Sequence, residues 1–205
     1  MIHEFIDKFQ HLDQLVAWAG YFGLTLIVFC ETGLLAGFFL PGDSLLVTAG
    51  LVASQGTLDY LTLNGLLMVA AIVGDNTGYL IGYFVGPKLF KRQDSLFFKK
   101  EYLDKTHQFF EKYGGKTIVL ARFVPIIRTF APTVAGVGRM TYKKFIAYNV
   151  IGGIAWVFSM LSIGYFLGNT IPNIEKHLHI VVAIVIFVSF LPVLNEWFKS
   201  RKPKT

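Results

Sequence analysis

The chain has 205 residues, of which 54% are hydrophobic and 16% charged, with a formal net charge of +6 and a single cysteine. That is more apolar surface than one soluble core of this size hides, so the composition points to an integral membrane protein. The basic excess lies in loops beside apolar runs and reads as membrane orientation rather than nucleic-acid binding, and a lone Cys30 excludes an intrachain disulfide.

In residues 1–20, apolar positions recur at helical spacing from Ile2 to Val16, which predicts an interfacial amphipathic helix. Glu4, Asp7, Lys8 and Asp13 interrupt this segment, so no cleaved signal peptide is expected. Residues 21–58 form an apolar run that holds Glu31 and Asp43 and is broken at Pro41-Gly42. Proline removes a backbone donor and clashes with the preceding turn, so this run is not a straight helix. Residues 61–86 are long enough to span a bilayer and carry Asp75 within the apolar stretch. Residues 87–115 are basic at the start and are expected to form a cytoplasmic loop with a surface helix. Residues 116–138 are a second interrupted run, with Arg122, Arg128, Pro125 and Pro132. Residues 145–168 and 178–198 read as two further spans, and 199–205 as a basic tail.

Loop charge sets the topology. Lys88 to Lys100, Arg139 to Lys144 and Lys199 to Lys204 are three basic clusters, and all belong on the cytoplasmic side under the positive-inside rule. They share a side only if residues 116–138 dip into the membrane and return. That run is therefore read as a re-entrant hairpin, and residues 21–58 as a matching hairpin entering from the opposite face. Irregular backbone at membrane depth is tolerated where protein or a water-filled cavity covers it.

The two runs also read as copies of one element. Glu31 and Arg122 are each followed ten residues later by a proline, Pro41 and Pro132. A second match, Gly82-Tyr83-Phe84-Val85-Gly86 against Gly164-Tyr165-Phe166-Leu167-Gly168, ends the two spans that follow. The expected fold is a single all-α membrane domain. Two inverted repeats, each a re-entrant helical hairpin plus a transmembrane helix, are followed by a C-terminal transmembrane helix.

An ionised group at the bilayer centre costs about 2.5–3.5 kcal/mol even on lenient scales, so charges in these runs need a partner or a function. Arginine offers a planar fork of donors that suits phosphate, which makes Arg122 and Arg128 candidates for an anionic group. Thr129 and Thr133 would add hydroxyls. Glu31 and Asp43 would pair with the arginines or carry a proton, although an aspartate after Pro41-Gly42 also suits a helix N-cap. Asp75 is left as either a site member or a hydrogen-bonded structural acid. None of the five histidines falls inside a hairpin, and no metal-ligand spacing occurs. No enzyme activity, cofactor or metal is therefore expected.

The strings FLPGDSLL, YLDKTHQFFEKYGGKTIVLARFVPIIRTFAP and AGVGRMTYKKFIAYNVIGG closely resemble the bacterial DedA family. The resemblance implies an inner-membrane transporter related to eukaryotic lipid scramblases. Its functional acids and arginines would fall on Glu31, Asp43, Arg122 and Arg128. It further implies a membrane lipid as partner, undecaprenyl phosphate first and a glycerophospholipid such as phosphatidylethanolamine second, with protons as a coupling ion. The alternative reading is a proton-coupled antiporter of small cations or drugs. Homo-oligomerisation is compatible with the sequence, and nucleic acid is not an expected partner.

Overall fold

The computed structural model describes residues 12–34, 42–89 and 115–171. These form six helices: α1 Leu12–Gly33, α2 Gly42–Ser54, α3 Tyr60–Leu89, α4 Lys116–Ala121, α5 Pro125–Val137 and α6 Tyr142–Thr170. No strand occurs among the described residues. Pro41, the loop of residues 90–114, the expected span 178–198 and the tail 199–205 lie outside them, as do residues 1–11 of the expected amphipathic helix.

Helix α1 changes direction at Gly20, whose φ of 58° and ψ of −162° lie in a region open essentially to glycine alone. The expected amphipathic segment thus runs into the first membrane run through a glycine kink. Asp59 closes the turn between α2 and α3, its Oδ1 accepting the Thr62 N–H at 2.8 Å as an N-cap. The Thr62 hydroxyl and backbone N–H hold its carboxyl below the usual range.

Among the described residues, helices α3 and α6 are the two long and apolar enough to cross a membrane. Their outer faces carry exposed Leu61, Val69, Ile151, Phe158 and Phe166, an apolar surface that suits lipid rather than water. By contrast α2 is buried all round, from Gly42 to Ala53, as expected of a helix with no polar stripe.

Packing joins the two halves of the chain crosswise. Helix α2 lies along α6, and α5 lies along α3, while α1 rests on α3 and α4 on α6. Small residues make the close approaches possible. A Cβ on Gly50 of α2 would strike the Leu161 carbonyl of α6, and one on Gly164 the Val47 carbonyl. The α5–α3 contact repeats this, with Gly136 against the Tyr79 carbonyl and Gly82 against that of Thr133. Gly82 and Gly164, the first residues of the matching Gly-aromatic strings, thus occupy like places.

One expectation is corrected. Pro132 lies inside continuous α5 and breaks nothing. It is accommodated because its Cβ faces Gly78 of α3, 3.5 Å from where a Cβ on that glycine would stand. The actual break falls just before Pro125, as expected. Val124, the residue preceding proline, is extended at φ −118° and ψ 105° because Pro125 disfavours the helical region there. Pro125 then opens α5, where its missing donor costs nothing.

Candidate functional site

The two broken runs point their interrupted ends at each other. Glu31 sits in the last turn of α1 and Asp43 in the first turn of α2. Arg122 caps the C-terminus of α4 and Arg128 lies in the first turn of α5. On one unbroken helix the two arginines would face apart, and the break at Val124 turns both inward. Glu31, Asp43, Asp75, Arg122 and Arg128 are all buried, Arg122 to 1% exposure.

The partners divide into two nodes. Arg128 is a bridge: Nη1 donates to Asp43 Oδ1 at 2.5 Å and Nη2 to Glu31 Oε1 at 2.6 Å. Its guanidinium lies over the Trp156 ring, 4.3 Å from the centroid, a cation–π contact strengthened by burial. The Trp156 indole N–H donates to the same Asp43 Oδ1 at 2.8 Å, so arginine, acid and indole form one closed unit.

Arg122 belongs to the second node. Its Nη2 donates to Asp75 Oδ2, to Asn149 Oδ1 at 2.5 Å and, more distantly, to the Ala71 carbonyl at 3.4 Å. Asn149 is fixed in turn by donating to the Ile72 carbonyl at 3.0 Å. Gly152 and Gly153 of α6 give the arginine its room, the Arg122 Cδ and Nη1 standing 3.2 and 3.5 Å from where their side chains would begin.

The sequence-derived set is therefore brought together with one change of pairing. Both Glu31 and Asp43 bind Arg128, whereas Arg122 takes Asp75, the acid whose role the sequence left open. Gly42 makes the first node possible, because any Cβ there would overlap the Glu31 carboxylate. Thr129 is buried beside Arg128. Thr133 instead turns toward α3, its hydroxyl 3.4 Å from where a Cβ on Gly78 would stand. Asn149 and Trp156 were missed. They are seven residues apart on α6 with Gly152-Gly153 between, so one polar, two small and one aromatic residue share a face of an otherwise apolar span. That stripe was the available signal.

Two features give the cluster capacity for more than structure. Three carboxylates face two guanidiniums, an excess of one negative charge when all are ionised. Several buried atoms also lack a partner among the described residues: Glu31 Oε2, Asp75 Oδ1, Arg122 Nε and Nη1, and Arg128 Nε. Unpaired buried donors on a charged group are costly, commonly more than about 1–3 kcal/mol each. The open arginine N–H groups are suited to donating to further oxygens.

Residues 40–166 match the model of the VTT domain. The chain belongs to the VTT-domain, or DedA, family. Among members of this family it is 50% identical over 98% of its length to Protein DedA of Escherichia coli K12, covering 96% of that protein. It is 47% identical to an uncharacterized membrane protein of Mycobacterium leprae, over 82% of this chain and 75% of that one. An E. coli K12 inner membrane protein, YqjA, is 35% identical over 73% of this chain and 68% of its own. No solved structure matches the chain. VTT-domain membership and the two apolar spans make it a membrane protein.

Proposed function

We propose that this protein is a membrane transporter that translocates a lipid by its phosphate headgroup. The carrying observation is Arg128, a buried guanidinium held between Glu31 and Asp43 with its Nε edge unpartnered among the described residues. Such a group can exchange one carboxylate for a phosphate oxygen without ever being left uncompensated. Arg122 supports it from the second node, where Asp75 and Asn149 occupy one Nη and leave two donors open. Undecaprenyl phosphate is the first candidate substrate and a glycerophospholipid such as phosphatidylethanolamine the second. The lipid tail would remain in the bilayer, and the protein acts as a carrier rather than an enzyme.

The crosswise packing supports an inverted-repeat reading, with α1–α2 and α4–α5 as re-entrant pairs that enter from opposite faces. Because α2 rests on α6 and α5 on α3, relative movement of the halves would strain the ion pairs between them. Binding of a phosphate in place of a carboxylate would relieve that strain. The membrane in this reading is the cytoplasmic one, with the C-terminus inside.

A second reading, a proton-coupled antiporter of small cations or drugs, draws on the excess carboxylate, whose charge a proton or small cation would balance. Vesicles reconstituted with the protein separate the two. If Arg128→Lys, which keeps the charge and loses the fork, transfers labelled phospholipid at the wild-type rate, the phosphate clamp is wrong. Proton flux driven by a cation in vesicles lacking the candidate lipid, abolished by Glu31→Gln, would establish the antiporter.

A further inference from the structure

A cavity of about 370 Å³ opens where α3 nears its end and α6 begins. Its walls include Tyr79, Tyr83 and Phe84 of α3 with Arg139, Thr141 and Tyr142. None of the residues of the buried charge cluster lines it. The volume falls within the range of small-ligand sites.

The backbone that presents Arg139 is a helix C-terminal motif. The Met140 N–H donates to the Ala135 carbonyl and the Arg139 N–H to that of Gly136, both at 3.0 Å, the bond pair of a Schellman motif. Arg139 therefore occupies the left-handed position, at φ 52°, and is the one described non-glycine residue with positive φ. Glycine is the usual residue there because a Cβ is disfavoured. The Tyr79 hydroxyl anchors the same turn by donating to the Met140 carbonyl at 2.5 Å. The chain thus holds an arginine in a fixed turn where conformation alone favours glycine.

The arginine is exposed, lies over the Tyr83 ring at 5.6 Å, and pairs with no carboxylate among the described residues. Lys143 and Lys144 follow directly. Tyr83, Phe84 and Tyr142 are exposed around it. Aromatic rings and cations at the ends of two membrane-length helices mark the level of lipid headgroups, and arginine is the side chain suited to a phosphate there.

We propose that this cavity is a second binding site, separate from the buried cluster, for the phosphodiester headgroup of an anionic membrane phospholipid. Arg139 pairs with the phosphate, and Tyr83, Phe84 and Tyr142 line the glycerol and upper acyl chain. The site does not depend on the transport reading and stands or falls by its own measurement.

Native mass spectrometry of the full chain released from detergent tests it, with phosphatidylglycerol and phosphatidylcholine offered at equal concentration. The wild type is expected to retain phosphatidylglycerol preferentially. Arg139→Gly suits the left-handed turn, so its melting temperature should be unchanged or higher, while phosphatidylglycerol retention falls roughly tenfold. Tyr83→Leu, which leaves the turn intact, should also lose retention, whereas Gly65→Ala, on α3 away from both sites with nothing within 4 Å of its Cβ, should keep the preference. Wild-type retention in Arg139→Gly or Tyr83→Leu overturns the proposal, as does loss of the preference in Gly65→Ala. Equal retention of the two lipids by the wild type overturns it too, and displacement of the lipid by an equal concentration of inorganic phosphate would mean a site for the free anion.

Discussion

Substituting Gly42→Ala adds one carbon at the point where the first node is tightest. Its Cβ would stand 1.8 Å from Glu31 Oε2 and 2.1 Å from Oε1, whereas carbon and oxygen ordinarily keep about 3.3 Å apart. Clearing that overlap moves the carboxylate by about 1.5 Å, enough to break its 2.6 Å bond to Arg128 Nη2. Glu31 is 2% exposed, so the displaced group has no water to turn to. Arg128 keeps Asp43, and the loss is one charge-assisted hydrogen bond, about 1.5–3 kcal/mol. At about 2–4 °C per kcal/mol for a chain of this size, the melting temperature in detergent should fall by about 3–12 °C. The assay is a double-mutant cycle. In a Glu31→Ala background the overlapping atoms are gone, so Gly42→Ala should cost almost nothing there. An equal cost in both backgrounds would refute the steric argument and place the effect in the start of α2.

Trp156→Phe keeps an aromatic face over Arg128 but removes the indole N–H from Asp43. Thermal unfolding should show a loss of about 1.5–3 kcal/mol, and the vesicle assay slower lipid transfer; wild-type values in both would make the indole bond silent. Gly164→Ala and Gly136→Ala force backbone carbonyls of α2 and α3 away, so each should cost about 1–3 kcal/mol by overpacking. Gly65→Ala, with nothing within 4 Å of its Cβ, is the control and should be neutral or stabilising by melting temperature. A loss at Gly65 matching the other two would show that spacing between helices is not what these glycines supply.

The spans at α3 and α6 were legible because apolar length is a local property, and the break before Pro125 because proline constrains its neighbour directly. The pairing of acids with arginines was not. Glu31 and Asp43 converge on Arg128, and Asp75 claims Arg122, through tertiary placement that no spacing along the chain encodes. Pro132 misled for a related reason: its cost depends on the residue opposite, and Gly78 of α3 leaves it room. Asn149 and Trp156 escaped notice because an apolar span is read for the charges it lacks. Their role follows from a shared face with Gly152 and Gly153, where the second arginine needs space.

The sign of the buried charges follows chain order. Every buried acid of the cluster, Glu31, Asp43 and Asp75, precedes Leu89, and both arginines follow Lys116. A ribosome that has delivered α1 to α3 has delivered three carboxylates to the membrane and neither of their cations. The partners of those carboxylates within the chain arrive only with α4 and α5. Ion pairing of the buried cluster is thus a late event in the making of this protein.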